Sequence, residues 1–366
     1  MWETWIHNTR SGSPEFMLKS GRPLASARWT RVLGSKGSGS HTVLLRDAGI
    51  PKSMVGEITR GNKYTIVQRW SEDNHVAYAG VIRNRKFLAS GSALVLSSNE
   101  LREAVLGTRY PYGVNEYNPS TGVLNIVARS RTAALRAVLL AATKSGSVSG
   151  WELPIDIPAD AAGPFNASWR HEEKLTTEDL LTQIEADGVE TDFRPYIDSA
   201  GYLRYQAICQ VRISSGTPFL LPTQAPRSIV LGLTVEEDYV GQRTGLLGFG
   251  KGRGQDTPFK FAPTTGDGIG DLPVMDSDEA FPDISDLTRL QTATNVLFAA
   301  KNKPTEQWDY SLYIGEVGAA MAAPGAIHDL HVFGSEFISD GSHPQRVISL
   351  SGDLSNVVKP GVQFYG

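Results

Sequence analysis

The chain has 366 residues, of which 40% are hydrophobic and 20% are charged, and its net charge is −4 at pH 7. This is the composition of a globular protein, and the negative charge argues against a role in coating nucleic acid. The one cysteine, Cys209, excludes an intrachain disulfide and a cysteine-rich zinc module. The sequence has neither a basic-then-apolar leader nor an apolar run of about eighteen residues, so we expect folding in a cytosol without membrane insertion.

Short strands are predicted throughout the first hundred residues. Residues that favour strands cluster between turns, and Glu72, Asp73 and Asn74 form a polar hairpin turn. The predicted strands are Trp2–Asn8, Ala27–Gly34, His41–Leu45, Tyr64–Glu72, His75–Ile82 and Lys86–Leu96, the last interrupted at Gly91. Many short strands separated by turns predict a small barrel or sandwich in this part of the chain.

Helical periodicity is found mainly in the middle of the chain. The predicted helical segments are Glu100–Leu106, Arg129–Lys144 and Thr177–Ala186. Thr176 and Thr177 are candidate N-caps for the last of these, and the acidic residues that follow favour the positive end of the helix. The strand predicted over Tyr202–Ile213 alternates, and Cys209 lies on its apolar face. We therefore expect a buried thiol rather than a reactive one.

The C-terminal part is predicted to return to strands around a long loop. The predicted strands are Ser228–Glu237 paired with Gln242–Phe249, then Asp309–Ile314, Ile327–Phe333 and Arg346–Leu350. Residues 250–283 are rich in glycine, proline and aspartate, which predicts a long loop that a neighbouring subunit could order. A helix is predicted over 284–301, with Asp283 as a candidate N-cap.

A glycine-rich segment invites comparison with a phosphate-binding loop. Four glycines alternate from Gly248 to Gly254, with Lys251 and Arg253 between them. The spacing matches neither of the common phosphate-loop patterns, and no helix is predicted to follow. A permissive loop at a strand end is the favoured interpretation, and a contact with phosphate or DNA is the alternative. We keep Lys251 and Arg253 as candidate interface residues.

Other clusters of polar residues predict little chemistry. The acidic residues Asp267, Asp271, Asp276, Asp278, Glu279, Asp283 and Asp286 lack the ligand order of a calcium loop, so capping and solvated aspartates are favoured over a calcium site. His328 and His331 are three apart on a predicted strand and point to opposite faces, which makes a poor metal pair. G-x-S-x-G does not occur. The sequence predicts no catalytic, cofactor-binding or metal-ligating residue.

The segment Asp192-Phe193-Arg194-Pro195 stands between a predicted helix and a returning strand. The favoured interpretation is a strand with Phe193 facing inward and an Asp192/Arg194 pair that positions the turn. The alternative is that Arg194 faces a neighbouring subunit, because arginine is common at interfaces. Arg194 is therefore the third candidate interface residue.

Several short motifs, in this order, resemble the tail-hub family of minor tail proteins from long-tailed phages (siphophages) of actinobacteria. The motifs are Thr9-Arg10-Ser11-Gly12, Ser26-Ala27-Arg28-Trp29, Val32-Leu33-Gly34, Gly37-Ser38-Gly39-Ser40, Trp151-Glu152-Leu153-Pro154, Glu178-Asp179-Leu180-Leu181, Thr191-Asp192-Phe193-Arg194-Pro195 and Gly201-Tyr202-Leu203-Arg204. The family usually has asparagine where Gly34 stands here. The resemblance covers most of the chain.

The resemblance implies a mixed, β-rich α+β protein with two small β-barrel domains and α/β elements between and after them. The expected domains are an N-terminal barrel over 1–108, a middle α/β domain over 109–215, and a second barrel over 216–366. It also implies a homotrimeric ring in the virion tail tip, made in the host cytoplasm. The implied partners are the distal tail protein, the tape measure protein, tip or fibre proteins, and DNA in transit.

Two other functions remain open from the sequence. The chain could be the distal tail protein itself or a receptor-binding module of the tail tip. A cell-wall hydrolase is the third possibility, although no motif in the sequence supports one. A structural role without enzymatic activity, cofactor or metal is the prediction that the sequence favours.

Overall fold

The structure, a computed structural model, describes residues 1–18, 24–46, 52–111, 121–144, 150–186, 188–263, 272–282 and 284–365. Strands hold 47% of the residues and helices 19%, which confirms the predicted mixed, β-rich class. The chain forms two compact units. The first unit comprises Met1–Leu233 with Tyr310–Gly366, and the second comprises Thr234–Asp309.

The strands and helices are numbered here in chain order. The strands are β1 (Trp2–Asn8), β2 (Pro14–Leu18), β3 (Leu24–Val32), β4 (Ser38–Leu44), β5 (Tyr64–Trp70), β6 (His75–Leu88), β7 (Ala93–Glu100), β8 (Val123–Arg129), β9 (Ile155–Asp156), β10 (Phe165–Arg170), β11 (Glu190–Ile197), β12 (Leu203–Gln210), β13 (Ser215–Pro222), β14 (Val230–Asp238), β15 (Gly245–Phe249), β16 (Phe259–Ala262), β17 (Asp276–Ala280), β18 (Thr305–Tyr313), β19 (Ala326–Val332), β20 (Gly341–Gly352) and β21 (Val357–Phe364). The helices are α1 (Lys52–Ile58), α2 (Leu101–Ala104), α3 (Arg131–Ala142), α4 (Thr177–Glu185) and α5 (Leu287–Lys301).

A 13-stranded sheet combines strands from both ends of the chain. Its order is β14-β18-β21-β20-β3-β4-β7-β6-β5-β1-β2, with β19 beside β20 and β13 beside β19. The N-terminal and C-terminal strands join where β3 pairs antiparallel with β20, with Arg31 opposite Leu350. Along this order the described strands form an open path, so closure into two barrels stays a prediction. The division at residues 108 and 215 likewise stays a prediction.

The N-terminal strands surround an aromatic core. The indole of Trp2 packs edge-on against Trp29 and Trp70, with ring centroids 5.4 and 4.9 Å apart. The predicted hairpin of β5 and β6 is confirmed. The interruption predicted at Gly91 in the strand over 86–96 is confirmed, but the two parts belong to different strands, because β6 ends at Leu88 and β7 begins at Ala93. Between them the chain turns, and Ser92 adopts a left-handed conformation with φ 47°.

The middle of the chain packs two helices against a hairpin. The Ser130 hydroxyl accepts a hydrogen bond from the Ala133 amide at the start of α3. Thr176 caps α4 in a reciprocal pair with Asp179, as the sequence predicted for Thr176. The apolar faces of both helices and of β12 share one buried core. Cys209 belongs to that core, which confirms its predicted burial.

The second unit contains a three-stranded sheet under α5. β15 lies in the centre, with β16 antiparallel on one side and β17 parallel on the other. Residues 250–283 are therefore not one loop, since β16 and β17 fall within them. The glycine, proline and aspartate of this stretch predicted a loop. Two short strands form there instead, because each of them pairs with β15. Asp286 caps α5, which begins at Leu287 rather than at 284.

Strand pairing in the C-terminal part differs from the prediction in one further respect. β14 and β15 were predicted to pair, but they belong to different sheets, where β14 pairs with β18. The predicted strands at β18, β19 and β20 are confirmed. Within the described residues, no helix is long and apolar enough to cross a membrane.

Candidate functional site

The hairpin of β11 and β12 has one apolar face and one charged face. Phe193 on β11 is fully buried, as the sequence predicted, and it lies opposite Ala207 of β12. The other face of β11 carries Glu190, Asp192 and Arg194 in alternation, because side chains along a strand point to opposite sides. This charged face of β11 is the candidate site, and its partners come from distant parts of the first unit.

Asp192 joins the hairpin to the loop after β3. It is fully buried, and its carboxylate accepts hydrogen bonds from Arg31 Nη2 at 2.7 Å and from the Ser35 hydroxyl at 2.9 Å. The amide of Gly34 donates to the same carboxylate at 3.2 Å. The Ser35 hydroxyl also accepts from the amide of Phe193 at 3.0 Å. The Val-Leu-Gly and Thr-Asp-Phe-Arg-Pro motifs are thus bonded to each other in the fold.

Glu100 provides a second carboxylate beside Arg31. Arg31 Nε lies 3.5 Å from Glu100 Oε1, and both side chains are buried. Glu100 Oε2 also accepts from the amide of Gly37 at 2.7 Å. Burial raises the pKa of Glu100 to about 7, Arg31 lowers it and the charge of Asp192 raises it further. A side chain at Gly37 would meet the Thr30 carbonyl at 2.0 Å, so this approach requires glycine.

Arg102 on α2 connects the loop after β3 to α4. Its guanidinium donates to both oxygens of Glu178, at 2.7 and 3.0 Å, and to both oxygens of Glu185, at 2.7 and 2.9 Å. Arg102 Nη1 also donates to the Thr191 hydroxyl at 3.0 Å. Only 1% of the Arg102 side chain is exposed, and despite burial its two carboxylate partners raise its pKa. Two bidentate pairs on one guanidinium fix the position of α4 against β11.

Glu190 bonds the hairpin to β20. Its carboxylate accepts from Arg346 Nη1 at 2.7 Å and from Arg346 Nη2 at 2.8 Å. Burial raises the pKa of Glu190, but its hydrogen bonds with Arg346 and with the Ile213 amide leave the pKa below its usual value. Since Arg346 lies on β20 and Arg31 on β3, the charged face holds both strands that join the two ends of the chain. We call the charged residues that make these ion pairs the junction network. Its members are Arg31, Glu100, Arg102, Glu178, Glu185, Glu190, Asp192 and Arg346.

Arg194 lies on the same face but outside the network. No described residue makes a hydrogen bond with its guanidinium, and its Nε is buried. Burial lowers the pKa of Arg194, the charge of Arg31 lowers it further and Asp192 raises it. A cavity of about 320 Å³ opens beside it. Whether Arg194 contacts a neighbouring subunit stays a prediction, whereas Asp192 is bonded to Arg31 rather than paired with Arg194.

Lys251 and Arg253 lie in the second unit, in the connection from β15 to β16. Both side chains are exposed. The amide of Lys251 donates to the Ile284 carbonyl at 2.7 Å, which orders the backbone there. The connection ends in a strand and not a helix, as expected for a loop at a strand end. Their role at an interface stays a prediction.

The remaining sequence candidates are placed as follows. His328 is buried between Tyr310 and the Met321 carbonyl, whereas His331 is partly exposed and bonds Asp329. Asp267, Asp271 and Asp283 of the acidic cluster lie outside the described residues. Among the residues that are described, no group of three or more His, Cys, Asp or Glu side chains is arranged to hold a metal.

Sequence reasoning missed most of the junction network. Arg31 alternates with the buried residues Ala27 and Trp29 on one face of β3. An arginine in register with buried apolar residues is a signal for a buried ion pair, and that signal could have identified Arg31. Arg102 and Glu100 carry no comparable signal, because their partners lie between 63 and 89 positions away along the chain.

No family model and no curated protein sequence matches the chain. Its fold is similar to that of the tail protein from Neisseria meningitidis MC58, at 13% identity and a TM-score of 0.56, over 99% of this chain and 96% of that one. It is also similar to the 43 kDa tail protein of prophage MuSo2 from Shewanella oneidensis, at 12% identity and a TM-score of 0.57, over 99% and 98%. This chain has the fold of phage tail proteins.

A protein of the Francisella PdpA-VgrG complex has a similar fold at greater length. The identity is 10% and the TM-score 0.55, and the match covers 100% of this chain and 58% of that one. At such identities the likeness is one of fold.

Proposed function

We propose that this chain is a structural protein of a bacteriophage tail tip, where it forms the hub between the tail tube and the tip or fibres. The observation that carries the proposal is the nearly complete coverage, in both directions, of two tail proteins, one of them from a prophage. The similarity of fold therefore extends over nearly the whole length of each chain. Because a fold does not determine a function, the site has to support the role as well.

The junction network supports a structural role. Its charged groups form ion pairs with one another. Arg31 pairs with Asp192 and Glu100, and Arg102 pairs with Glu178 and Glu185. Buried ion pairs of this kind specify one arrangement of elements more than they add stability. A hub that must hold its shape between two neighbouring assemblies benefits from such a fixed arrangement.

In this proposal the hub is of the siphophage type. Three chains form a ring in which the domains over 1–108 and 216–366 act as barrel-like repeats around the channel. The distal tail protein lies above, tip or fibre proteins below, and the tape measure protein and DNA pass through during ejection. The chain is made in the host cytoplasm and is not an enzyme.

The direct test is a phage that lacks the gene for this chain. We expect its particles to have no tails or tails without a tip, and a tagged copy supplied in trans to label the tip. Normal tips in particles without the chain would overturn the proposal. Quantitative mass spectrometry of purified tails gives the copy number, where three favours the hub and six favours a distal tail protein.

The absence of enzymatic activity is tested separately. Purified chain is incubated with labelled host peptidoglycan, with lysozyme as the positive control. The proposal predicts no release of soluble fragments above buffer alone. Release that survives repurification would support a cell-wall hydrolase instead.

A further inference from the structure

The guanidinium of Arg194 lacks a partner for its charge within the described part of the chain. Its Nε is buried, and none of its nitrogens donates to a described residue. The side chain as a whole is partly buried, and only Nε is a buried nitrogen without a partner. A partly buried guanidinium of this kind offers its remaining donors to an anion. The residue opposite on β12 is Gln206, which is neutral. Arg194 therefore differs from Arg31, Arg102 and Arg346, which all have carboxylate partners.

Nearby charges are already engaged elsewhere. Asp192, two positions away on the same face, accepts from Arg31, from Ser35 and from the Gly34 amide. The other charge that acts on Arg194 is the positive charge of Arg31. Arg31 has both Asp192 and Glu100 as carboxylate partners, and neither carboxylate forms an ion pair with Arg194. An additional anion beside Arg194 would supply that partner.

The cavity beside Arg194 is suited to a small anion. It measures about 320 Å³, close to the lower limit for ligand sites, so it accommodates a side chain but not a large ligand. It contains no acidic residue. The other residues that line it are Thr132, Gln206, Ala207, Ile208, Cys209, Gln210, Ile213 and Ser214. The amides of Gln206 and Gln210 and the hydroxyl of Ser214 are neutral donors that can complete the coordination of an oxyanion.

We propose that the Arg194 cavity binds a carboxylate, which an aspartate or glutamate side chain of a neighbouring tail-tip chain supplies. One guanidinium matches one carboxylate in charge and in its bidentate geometry. A phosphate carries up to two negative charges and would need a second cation, which the lining does not provide. The source of the carboxylate rests on the proposed function, whereas the binding property of the cavity does not.

The cavity is tested on the free chain by NMR with ¹⁵N-labelled arginine and glutamine. Sodium acetate is titrated in against sodium chloride at equal ionic strength. We expect a saturable shift of the Arg194 Nε–H signal and of the Gln206 amide signal. The Arg204 Nε–H, which already donates to Asp156 at 2.9 Å, is the internal control and should not shift. If neither the Arg194 nor the Gln206 signal shifts specifically with acetate, the proposal is overturned.

The source is tested on the assembled protein. Arg194→Gln and the control Arg204→Gln are compared for association with themselves and with co-expressed tail-tip proteins, by analytical ultracentrifugation. We expect Arg194→Gln to weaken association at least about tenfold, with Arg204→Gln close to wild type. If acetate binds but Arg194→Gln associates as strongly as wild type, the carboxylate does not come from a neighbouring chain. If the wild-type chain is absent from tails, the proposed function is refuted. The acetate titration would still show whether the cavity binds a carboxylate.

Discussion

Arg31 and Asp192 lie 161 positions apart in the sequence, yet Arg31 Nη2 donates to Asp192 Oδ2 at 2.7 Å with neither side chain exposed. This pair fixes the hairpin of β11 and β12 on β3, next to the pairing of β3 with β20. The strands from the two ends of the chain are thereby held by a residue from its middle.

Asp192→Asn should destabilise the first unit strongly. The change leaves Arg31 buried with Glu100 as its remaining carboxylate partner, and breaking one partner of a buried pair costs about 3–5 kcal/mol. Urea unfolding followed by tryptophan fluorescence measures the loss. Glu152→Gln, which removes an exposed pair with Arg10, is the matched control and should change stability little. Equal effects of the two substitutions would contradict the role assigned to Asp192.

Arg102→Met should destabilise the chain less than Asp192→Asn. We expect a loss of about 1–3 kcal/mol, because water can reach the carboxylates that Arg102 leaves behind. Glu178 and Glu185 are each 24% exposed. A double-mutant cycle with Glu178→Gln should show strong coupling, since the two residues share a bidentate pair. Additive losses in that cycle would show that the pair does not act as a unit.

Glu100 should make stability depend on pH in an unusual direction. Its pKa is raised from 4.5 to about 7 in the folded chain, so the folded state binds a proton more tightly than the unfolded state. The stabilisation is present below pH 4.5 and is lost as the pH rises to 7. Wild type should therefore lose stability relative to Glu100→Gln across that window. The difference is measured by urea unfolding at several pH values, and a constant difference would refute the shift.

His328 should contribute the opposite dependence. Burial lowers its pKa from 6.5 to about 4, so the unfolded state takes up the proton first. Its contribution is present above pH 6.5 and is lost as the pH falls to 4. The ring accepts from the Tyr310 hydroxyl and donates to the Met321 carbonyl. The bond to Met321 raises the pKa, so burial is what keeps the ring neutral. An NMR titration of the His328 ring measures the pKa directly, and a midpoint near 6.5 would contradict this environment.

Gly248→Ala should destabilise the second unit by about 1–3 kcal/mol through overpacking. A Cβ at this position would lie 2.1 Å from the Thr294 hydroxyl on α5, whereas Gly241→Ala meets no atom within 4 Å and serves as the control. Adding Thr294→Ala should restore much of the loss, because it removes the clashing oxygen. Thermal unfolding of the four chains provides the measurement. If Thr294→Ala restores no stability, the clash with the Thr294 hydroxyl is not the cause of the loss.

Local patterns predicted much of the fold. The hairpin of β5 and β6 around its polar turn, the helical spacing at α3 and the Thr176 cap of α4 depend on residues close in sequence, and all are confirmed. β16 and β17 were missed because their strand character comes from pairing with β15. The join between β3 and β20 spans almost the whole chain, and no short window of sequence contains it.

The candidate site was predicted only in part. Its position was identified through Asp192 and Arg194, which stand in a recognisable segment of alternating residues. The partner of Asp192 was predicted to be Arg194, which is near in sequence, but the structure gives it Arg31. Long-range ion pairs depend on the packing of whole elements, so the sequence around Asp192 does not specify which arginine it meets.

The central claim, that this chain is the hub of a phage tail tip, is tested most directly by a cryo-EM map of intact tails. We expect a threefold ring of this chain at the tip around an open channel, with density from a neighbouring chain entering the cavity beside Arg194. A map in which the tip ring is built from another protein, and this chain is absent, would contradict it.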